Sequence, residues 1–184
     1  MCNFAVCKRK LEMQLEEYKQ LRAYARYDGI YLAILWLASF ACTVLSPSIP
    51  FIGALSSLLL VATPFFVAYR LKKFRDEALG GTITFTRALM YCFRVFFNSS
   101  FLFAIFQWLY MKFLDGGRLL GLYQSMMSTP EMKVVIKAYG VSQSDFNAAM
   151  QQMFEPTFLA CYSLVCGILV GIVLSLLIAA IMKK

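Results

Sequence analysis

The sequence contains no histidine, and only 10 of its 184 residues are aspartate or glutamate. Histidine is the commonest general base at neutral pH and the commonest metal ligand. No acidic pair lies within any long apolar run, and neither a phosphate-binding glycine loop nor a nucleophile-elbow motif is present. These absences argue against proton-relay chemistry and metal-assisted hydrolysis. We therefore expect a protein that is not an enzyme and that holds no metal or cofactor.

Cysteine is present, but its spacing is not that of a metal site. None of the six cysteines forms a CxxC pair, and four of them lie inside apolar runs. We expect buried free thiols there, and reduced thiols near the start of the chain if it faces a cytoplasm. The six are Cys2, Cys7, Cys42, Cys92, Cys161 and Cys166.

Charge is also scarce. Charged residues make up 15% of the chain and hydrophobic residues 60%, whereas soluble domains are about half apolar and about a quarter charged. Seventeen phenylalanines and a mean hydropathy of +0.66 point the same way. The composition is that of a membrane protein.

Four hydrophobic runs, at about 29–45, 51–69, 88–113 and 157–182, are each long enough for a helix across a bilayer core of roughly 30 Å. The pattern predicts an all-α fold, an integral membrane four-helix bundle. The sequence "SPSIP" predicts a tight turn before the second run, and Pro64 inside that run is expected to kink it.

Lysine and arginine are distributed unevenly around these runs. Thirteen of the 18 lie before the first run, between the second and third, or after the fourth, and four lie between Lys112 and Glu155. By the positive-inside rule both termini are cytoplasmic, and the net charge of +8 needs no nucleic acid to explain it. The thirteen are Lys8, Arg9, Lys10, Lys19, Arg22, Arg26, Arg70, Lys72, Lys73, Arg75, Arg87, Lys183 and Lys184.

The chain begins with an amphipathic segment at 8–26, where apolar residues recur every three to four positions. Such a helix either feeds the first span along the membrane surface or docks a partner. We divide the chain into a cytoplasmic or interfacial helix at 1–28 and a transmembrane domain at 29–184.

The outer segment at 115–155 predicts two or three short helices. Thr129 and Pro130 suit a helix start and Gly140 a helix end. "SQSD", at 142–145, resembles a capping box that opens another helix. The segment is either a lid packed on the bundle or a binding surface.

The fourth run carries small residues at every fourth position. Such a stripe lets another helix approach closely, either within the same bundle or in a dimer or partner interface. The stripe is Ser163, Gly167, Gly171, Ser175 and Ala179.

The third run contains polar residues that are costly in lipid. Arg87, Tyr91, Arg94 and Asn98 share one narrow helical face. We hypothesise that Arg87 and Arg94 receive a lipid phosphate. Alternatively, Arg94 is an anchor whose side chain extends towards the inner headgroups. Gln107 lies on the opposite face and has no assigned role.

The stretch "YRLKKFRDEALGGTITFTRAL", at 69–89, resembles a family of small bacterial membrane proteins, domain of unknown function 4199. The resemblance implies four spans, a helical outer segment and a bacterial inner-membrane location, and it leaves 1–26 uncovered. The family has no established activity. Its members often occur beside glycosyltransferases of the polyprenyl-phosphate sugar type, which suggests such an enzyme as a partner.

Within this stretch, Gly80 and Gly81 allow a tight helix stop. Arg75, Asp76 and Glu77 then form a charged group on the inner face, which is either a solvated loop or a docking site for a partner.

These observations favour a non-enzymatic accessory or scaffold protein of the inner membrane. It would hold a partner, such as a lipid-linked glycosyltransferase, through 70–81 and the N-terminal helix. The alternative is an oligomeric transporter of a lipid or small molecule, which requires a polar path from Arg94 and Asn98 to both faces. A membrane enzyme acting on a phosphorylated lipid lacks candidate catalytic groups.

Overall fold

The computed structural model describes residues 4–46, 49–138, 140 and 142–183, with side chains from Glu16 onward except that of Pro50. The predictions made for Cys2, for the side chains of Cys7 and the basic residues at 8–10, for the turn residues at 47–48 and for Lys184 lie outside this part.

Over the described residues the chain forms eight α-helices and no strand, which confirms the all-α prediction. They are α1 (Phe4–Leu45), α2 (Pro50–Val61), α3 (Thr63–Ala78), α4 (Phe85–Phe113), α5 (Arg118–Met127), α6 (Pro130–Ala138), α7 (Gln143–Met153) and α8 (Pro156–Met182).

Three helices are long and apolar enough to cross a membrane: the Glu16–Leu45 part of α1, α4 and α8. The α2–α3 pair meets the same criterion only when its two helices are taken together, because they are bent by 41° at their junction. The fold is therefore compatible with a multi-pass membrane protein that has three such spans, or four if the bent pair is one.

The kink expected in the second run is present, but it lies just before Pro64 rather than at it. The chain breaks at Ala62, so that Pro64 falls within the first turn of α3 rather than inside a helix. A proline in the first turn loses no helical hydrogen bond, which explains why the break precedes it. The indole N–H of Trp36 donates to the hydroxyl of Thr63 at 3.0 Å and ties the junction to α1.

The N-terminal segment is continuous with the first span. From Phe4 to Leu45 the chain forms one helix of 42 residues, so residue 28 lies within α1 and marks no break in it. The division at 28 remains a prediction about which part of this helix meets the membrane.

Helix α4 packs against both α1 and α8. Close approach of α1 to α4 depends on Gly29, where an added Cβ would lie 2.8 Å from the Cβ of Asn98. The Ser99 hydroxyl donates to the carbonyl of Gly29 at 2.8 Å at this crossing. Between α1 and α2, the hydroxyls of Thr43 and Ser56 lie 2.8 Å apart. Small polar residues of this kind are typical of helix contacts in membranes.

The small-residue stripe of α8 faces α4. A Cβ at Gly167 would lie 2.5 Å from the Ser100 hydroxyl, and one at Gly171 would lie 2.6 Å from the Cβ of Phe96. Further along the stripe, Ser175 is fully buried. Four of the five stripe residues, with Ala179 as the fourth, are therefore either close to α4 or buried within this chain.

Three short helices, α5 to α7, connect α4 to α8. Two of the predicted helix starts are present: α6 begins at Pro130, and the Ser142 hydroxyl accepts the N–H of Asp145 at 3.1 Å. Glu155 caps α8 by accepting the N–H of Phe158 at 2.7 Å, and this hydrogen bond lowers the pKa of its carboxyl.

Two glycines in helices allow a matched test of the α4–α8 contact. Gly171→Ala should lower the free energy of unfolding by about 1–3 kcal/mol, because the added methyl group meets Phe96. Gly121→Ala, on α5 with open space around it, should raise stability by up to about 1 kcal/mol through helix propensity alone. Thermal unfolding in detergent measures both. A loss of stability of the same size in both variants would contradict this account of the contact.

Candidate functional site

A buried carboxylate joins three of the long helices. Asp28 of α1 is only 1% exposed. Arg70 of α3 donates through Nε to Oδ1 of Asp28 at 2.6 Å, and the Tyr91 hydroxyl of α4 donates to Oδ2. Because both carboxylate oxygens are engaged, the charge is paired within the protein.

Aromatic rings enclose this group. Phe74 stacks on Tyr91 with ring centroids 4.9 Å apart and an interplanar angle of 7°. Tyr24 packs against Phe74, and the centroids of these two rings are 5.2 Å apart. The guanidinium of Arg70 lies over the ring of Tyr31, 5.2 Å from its centroid. These contacts make the Asp28 group a structural cluster, in which the charged groups are paired and surrounded by aromatic rings.

A second charged feature, the arginine cleft, lies between α1 and α4. It has a volume of about 440 Å³. Arg22 and Arg26, four residues apart on α1, face Arg94 of α4 across it. No carboxylate is among the described residues that line it. The lining consists of Arg22, Arg26, Met90, Phe93, Arg94, Phe97 and Asn98.

The cleft lies near one end of the apolar part of the bundle. Arg26 precedes Leu45, the last residue of α1, by about 28 Å along the helix at 1.5 Å per residue. Arg94 donates to the hydroxyl of Tyr18, and its guanidinium lies 4.9 Å from the centroid of that ring. Asn98, one turn later on α4, contacts the carbonyl of Ala25 at 3.5 Å. The Arg94 side chain therefore extends towards the N-terminal end of α1, as a snorkelling side chain does.

The structure divides the four residues that the sequence placed on one face. Arg94 and Asn98 line the arginine cleft. Tyr91 is fully buried against Asp28, and Arg87 pairs with Glu17 of α1. One narrow helical face is thus split between the core, an ion pair and the cleft.

Sequence analysis missed two residues of this cleft. Arg22 and Arg26 appeared there only as flanking positive charges. Their spacing of four residues was a usable signal, because it places both guanidinium groups on one side of a helix. Their meeting with Arg94 depends on tertiary packing.

The predicted docking group is also rearranged. Arg75 is only 8% exposed, and its Nε donates to the Asp76 carboxylate at 2.8 Å. Glu77 is exposed and lies 3.7 Å from the ammonium of Lys73. Arg75 is therefore not part of an exposed charged surface, although Asp76 and Glu77 are.

The two glycines that follow end α3. The N–H of Gly81 donates to the carbonyl of Arg75 at 3.1 Å, and the φ angles of Gly80 and Gly81 are +65° and +92°. Both angles lie in the left-handed region that favours glycine, so the tight stop needs these residues.

A second cleft, of about 400 Å³, lies further along the bundle between α1, α4 and α8, with Trp36, Phe103 and Ser163 among its lining residues. Gln107 also lines it and is only 5% exposed. Among the described residues its Oε1 has no hydrogen-bond partner. The hydroxyl of Ser175 is the other buried side-chain atom of the described residues without such a partner.

Within the described residues, no three histidine, cysteine or acidic side chains are close enough to hold a metal ion. Cys42, Cys92, Cys161 and Cys166 are free thiols.

The long apolar helices, their small-residue contacts and the paired buried charge are compatible with a multi-pass helical membrane protein. A family model described as "Protein of unknown function (DUF4199)" matches residues 27–184, and the chain belongs to this family. This confirms the resemblance noted in the sequence. The matched region contains Asp28, Arg70 and Tyr91 and begins after Arg26. No curated protein and no solved structure matches the chain.

The Asp28 cluster predicts a large difference between two ion pairs of α3. Arg70→Met should lower the free energy of unfolding by about 3–5 kcal/mol, because it leaves a buried carboxylate without its cation. Lys73→Met, on the same helix, removes an exposed pair and should cost at most about 1 kcal/mol. Unfolding in detergent compares them, and Asp28→Asn combined with Arg70→Met should recover part of the loss. Equal costs for the two single variants would contradict the cluster.

For the unsatisfied amide of Gln107, we expect that an apolar replacement does not lower the stability, in contrast to Arg70→Met. Gln107→Met should leave stability unchanged or raise it by about 1 kcal/mol, because it removes a buried polar group without a partner. Gln152→Met, at an exposed site on α7, is the control and should have little effect. A marked fall in the unfolding midpoint of Gln107→Met alone would show that the amide is hydrogen-bonded in the folded protein.

Proposed function

We propose that the protein is a non-enzymatic accessory protein of a bacterial inner membrane that binds the headgroup of an anionic lipid in the arginine cleft. The observation that carries the proposal is the meeting of Arg22, Arg26 and Arg94 on one cleft without a carboxylate among its described lining residues. The α2–α3 pair acts as one bent span in this proposal, which gives four spans with both termini in the cytoplasm.

The chemistry of the cleft suits a phosphate attached to a lipid. Guanidinium groups bind phosphate oxygens in a bidentate manner and keep their charge at any physiological pH. The rest of the lining includes Met90, Phe93 and Phe97, which are all exposed on the surface of α4. An amphiphile would place its phosphate on the arginines and its chains along these apolar side chains.

The position of the cleft along the bundle supports the same proposal. Arg22 and Arg26 lie about one bilayer thickness from the other end of α1, at the level where inner-leaflet headgroups would be. The excess of positive charge lies on this side of the four runs. Arg94, whose Cα is deeper, reaches the same level by extending towards Tyr18.

The accessory role is the second part of the proposal. Lys72, Lys73, Asp76 and Glu77 form an exposed surface of both signs on α3, on the same side as the arginine cleft. We assign partner docking to this surface rather than to Arg75. The resemblance suggests a lipid-linked glycosyltransferase as the partner.

Two matched double variants test lipid binding. Arg22→Gln with Arg26→Gln removes two exposed cations four residues apart on α1, and Lys133→Gln with Lys137→Gln does the same on α6. Native mass spectrometry of protein extracted gently from its membrane counts the retained anionic lipids. The α1 variant should lose about tenfold or more of this binding, because each guanidinium bond to a phosphate is charge-assisted.

The α6 variant should retain the lipid. The unfolding midpoints of both should remain near that of the parent protein, since the four side chains are exposed. Equal lipid retention by the two variants would overturn the proposal.

A further inference from the structure

The arginine cleft carries three positive charges, and no described carboxylate lines it to neutralise them. The described acids of α1 all have partners elsewhere: Glu16 pairs with Lys19, Glu17 with Arg87, and Asp28 with Arg70 and Tyr91. None of these acids lines the cleft.

The three arginines of the cleft are therefore left to a ligand. Arg94 donates to the hydroxyl of Tyr18 and lies over its ring, and it forms no ion pair with a described carboxylate. No hydrogen bond or ion pair to a described carboxylate joins Arg22 or Arg26. The cleft thus offers three positive charges to one bound group.

Two kinds of phosphate in lipids differ in how well they match this charge. A phosphodiester headgroup has two free oxygens and a single negative charge. A terminal phosphate has three free oxygens and a charge of about −1.5 to −2 at pH 7, because its second pKa is about 6. Three guanidinium groups carry a charge of +3, so the second group neutralises more of that charge and offers one oxygen to each guanidinium.

We propose that the ligand of the arginine cleft is a lipid that ends in a phosphate monoester, rather than a phosphodiester lipid. The proposal rests on the proposed function and specifies the ligand class of the same site. The apolar side chains of Met90, Phe93 and Phe97 beside the arginines favour a lipid over free phosphate, because a soluble ion would leave them without a contact.

The absence of histidine makes the proposal testable through pH. The charged and titratable groups that face the cleft are Arg22 and Arg26 from α1 and Arg94 from α4, with Tyr18 behind Arg94. Histidine is the only side chain with an ordinary pKa between 5 and 8, and the chain has none. A change in binding between pH 7.5 and 5.5 would therefore come from the ligand.

The direction of that change follows from the ligand's charge. A phosphate monoester loses most of its second charge on going from pH 7.5 to 5.5, so its binding should weaken. A phosphodiester keeps its single charge over this range, so its binding should stay constant.

The experiment uses the purified full-length protein in detergent, with dioleoyl phosphatidic acid as the monoester probe and dioleoyl phosphatidylglycerol as the diester probe. Inorganic phosphate is the soluble probe. Native mass spectrometry measures binding of each at pH 7.5 and 5.5. Phosphatidic acid should bind about tenfold tighter than phosphatidylglycerol at pH 7.5, and several-fold more weakly at pH 5.5. Arg22→Gln with Arg26→Gln should abolish both the preference and the pH dependence, whereas Lys133→Gln with Lys137→Gln should preserve them.

Each of the other outcomes would overturn either the monoester proposal, the assignment to a lipid, or both proposals. Equal, pH-independent binding of the two lipids that is lost in the α1 variant would overturn the monoester proposal and leave the proposed function standing. Inorganic phosphate binding as tightly as phosphatidic acid would overturn the assignment to a lipid. Lipid binding that is unchanged in the α1 variant would overturn both proposals.

Discussion

The buried carboxylate of Asp28 sets the arrangement of the bundle. A charge removed from water is tolerated only when it is paired and hydrogen-bonded. Arg70 and Tyr91 meet that requirement, and they come from α3 and α4, so one residue of α1 fixes the position of two other helices against it. With Asp28 held there, the preceding turns of α1 lie along α4. This brings Arg22 and Arg26 into the same cleft as Arg94.

The central position of α4 explains why its polar residues separate. α1 approaches it at Gly29 and α8 at Gly171, and at each position even a methyl group would collide with α4. With both sides of α4 held this closely, it has little freedom to rotate. Tyr91 must then point to the core while Arg94 points to the cleft. The direction in which each polar side chain of α4 faces is therefore set by helix packing as much as by the sequence of α4.

The helices could be predicted because hydrophobic length, caps and turn residues are local signals. Pro130 and Ser142 start α6 and α7, and Gly80 ends α3, as their residue types predict. The site could be predicted only in part. The pairing of Asp28 with Arg70 spans 42 residues, and a basic residue near a span reads equally well as a flanking charge. Only the three-dimensional packing separates a flanking charge from one that lines a cleft.

The length of α1 affects how movement at one of its ends is transmitted to the other helices. It runs unbroken for 42 residues, contains no proline, and is about 63 Å long, roughly twice the thickness of a bilayer core. An unbroken helix of this kind has no break at which it could bend when its N-terminal end is displaced. Force applied beyond the membrane would act as a lever on the crossing at Gly29 and on the charge pair next to it. The width of the arginine cleft, which this same helix borders, would then change with the load.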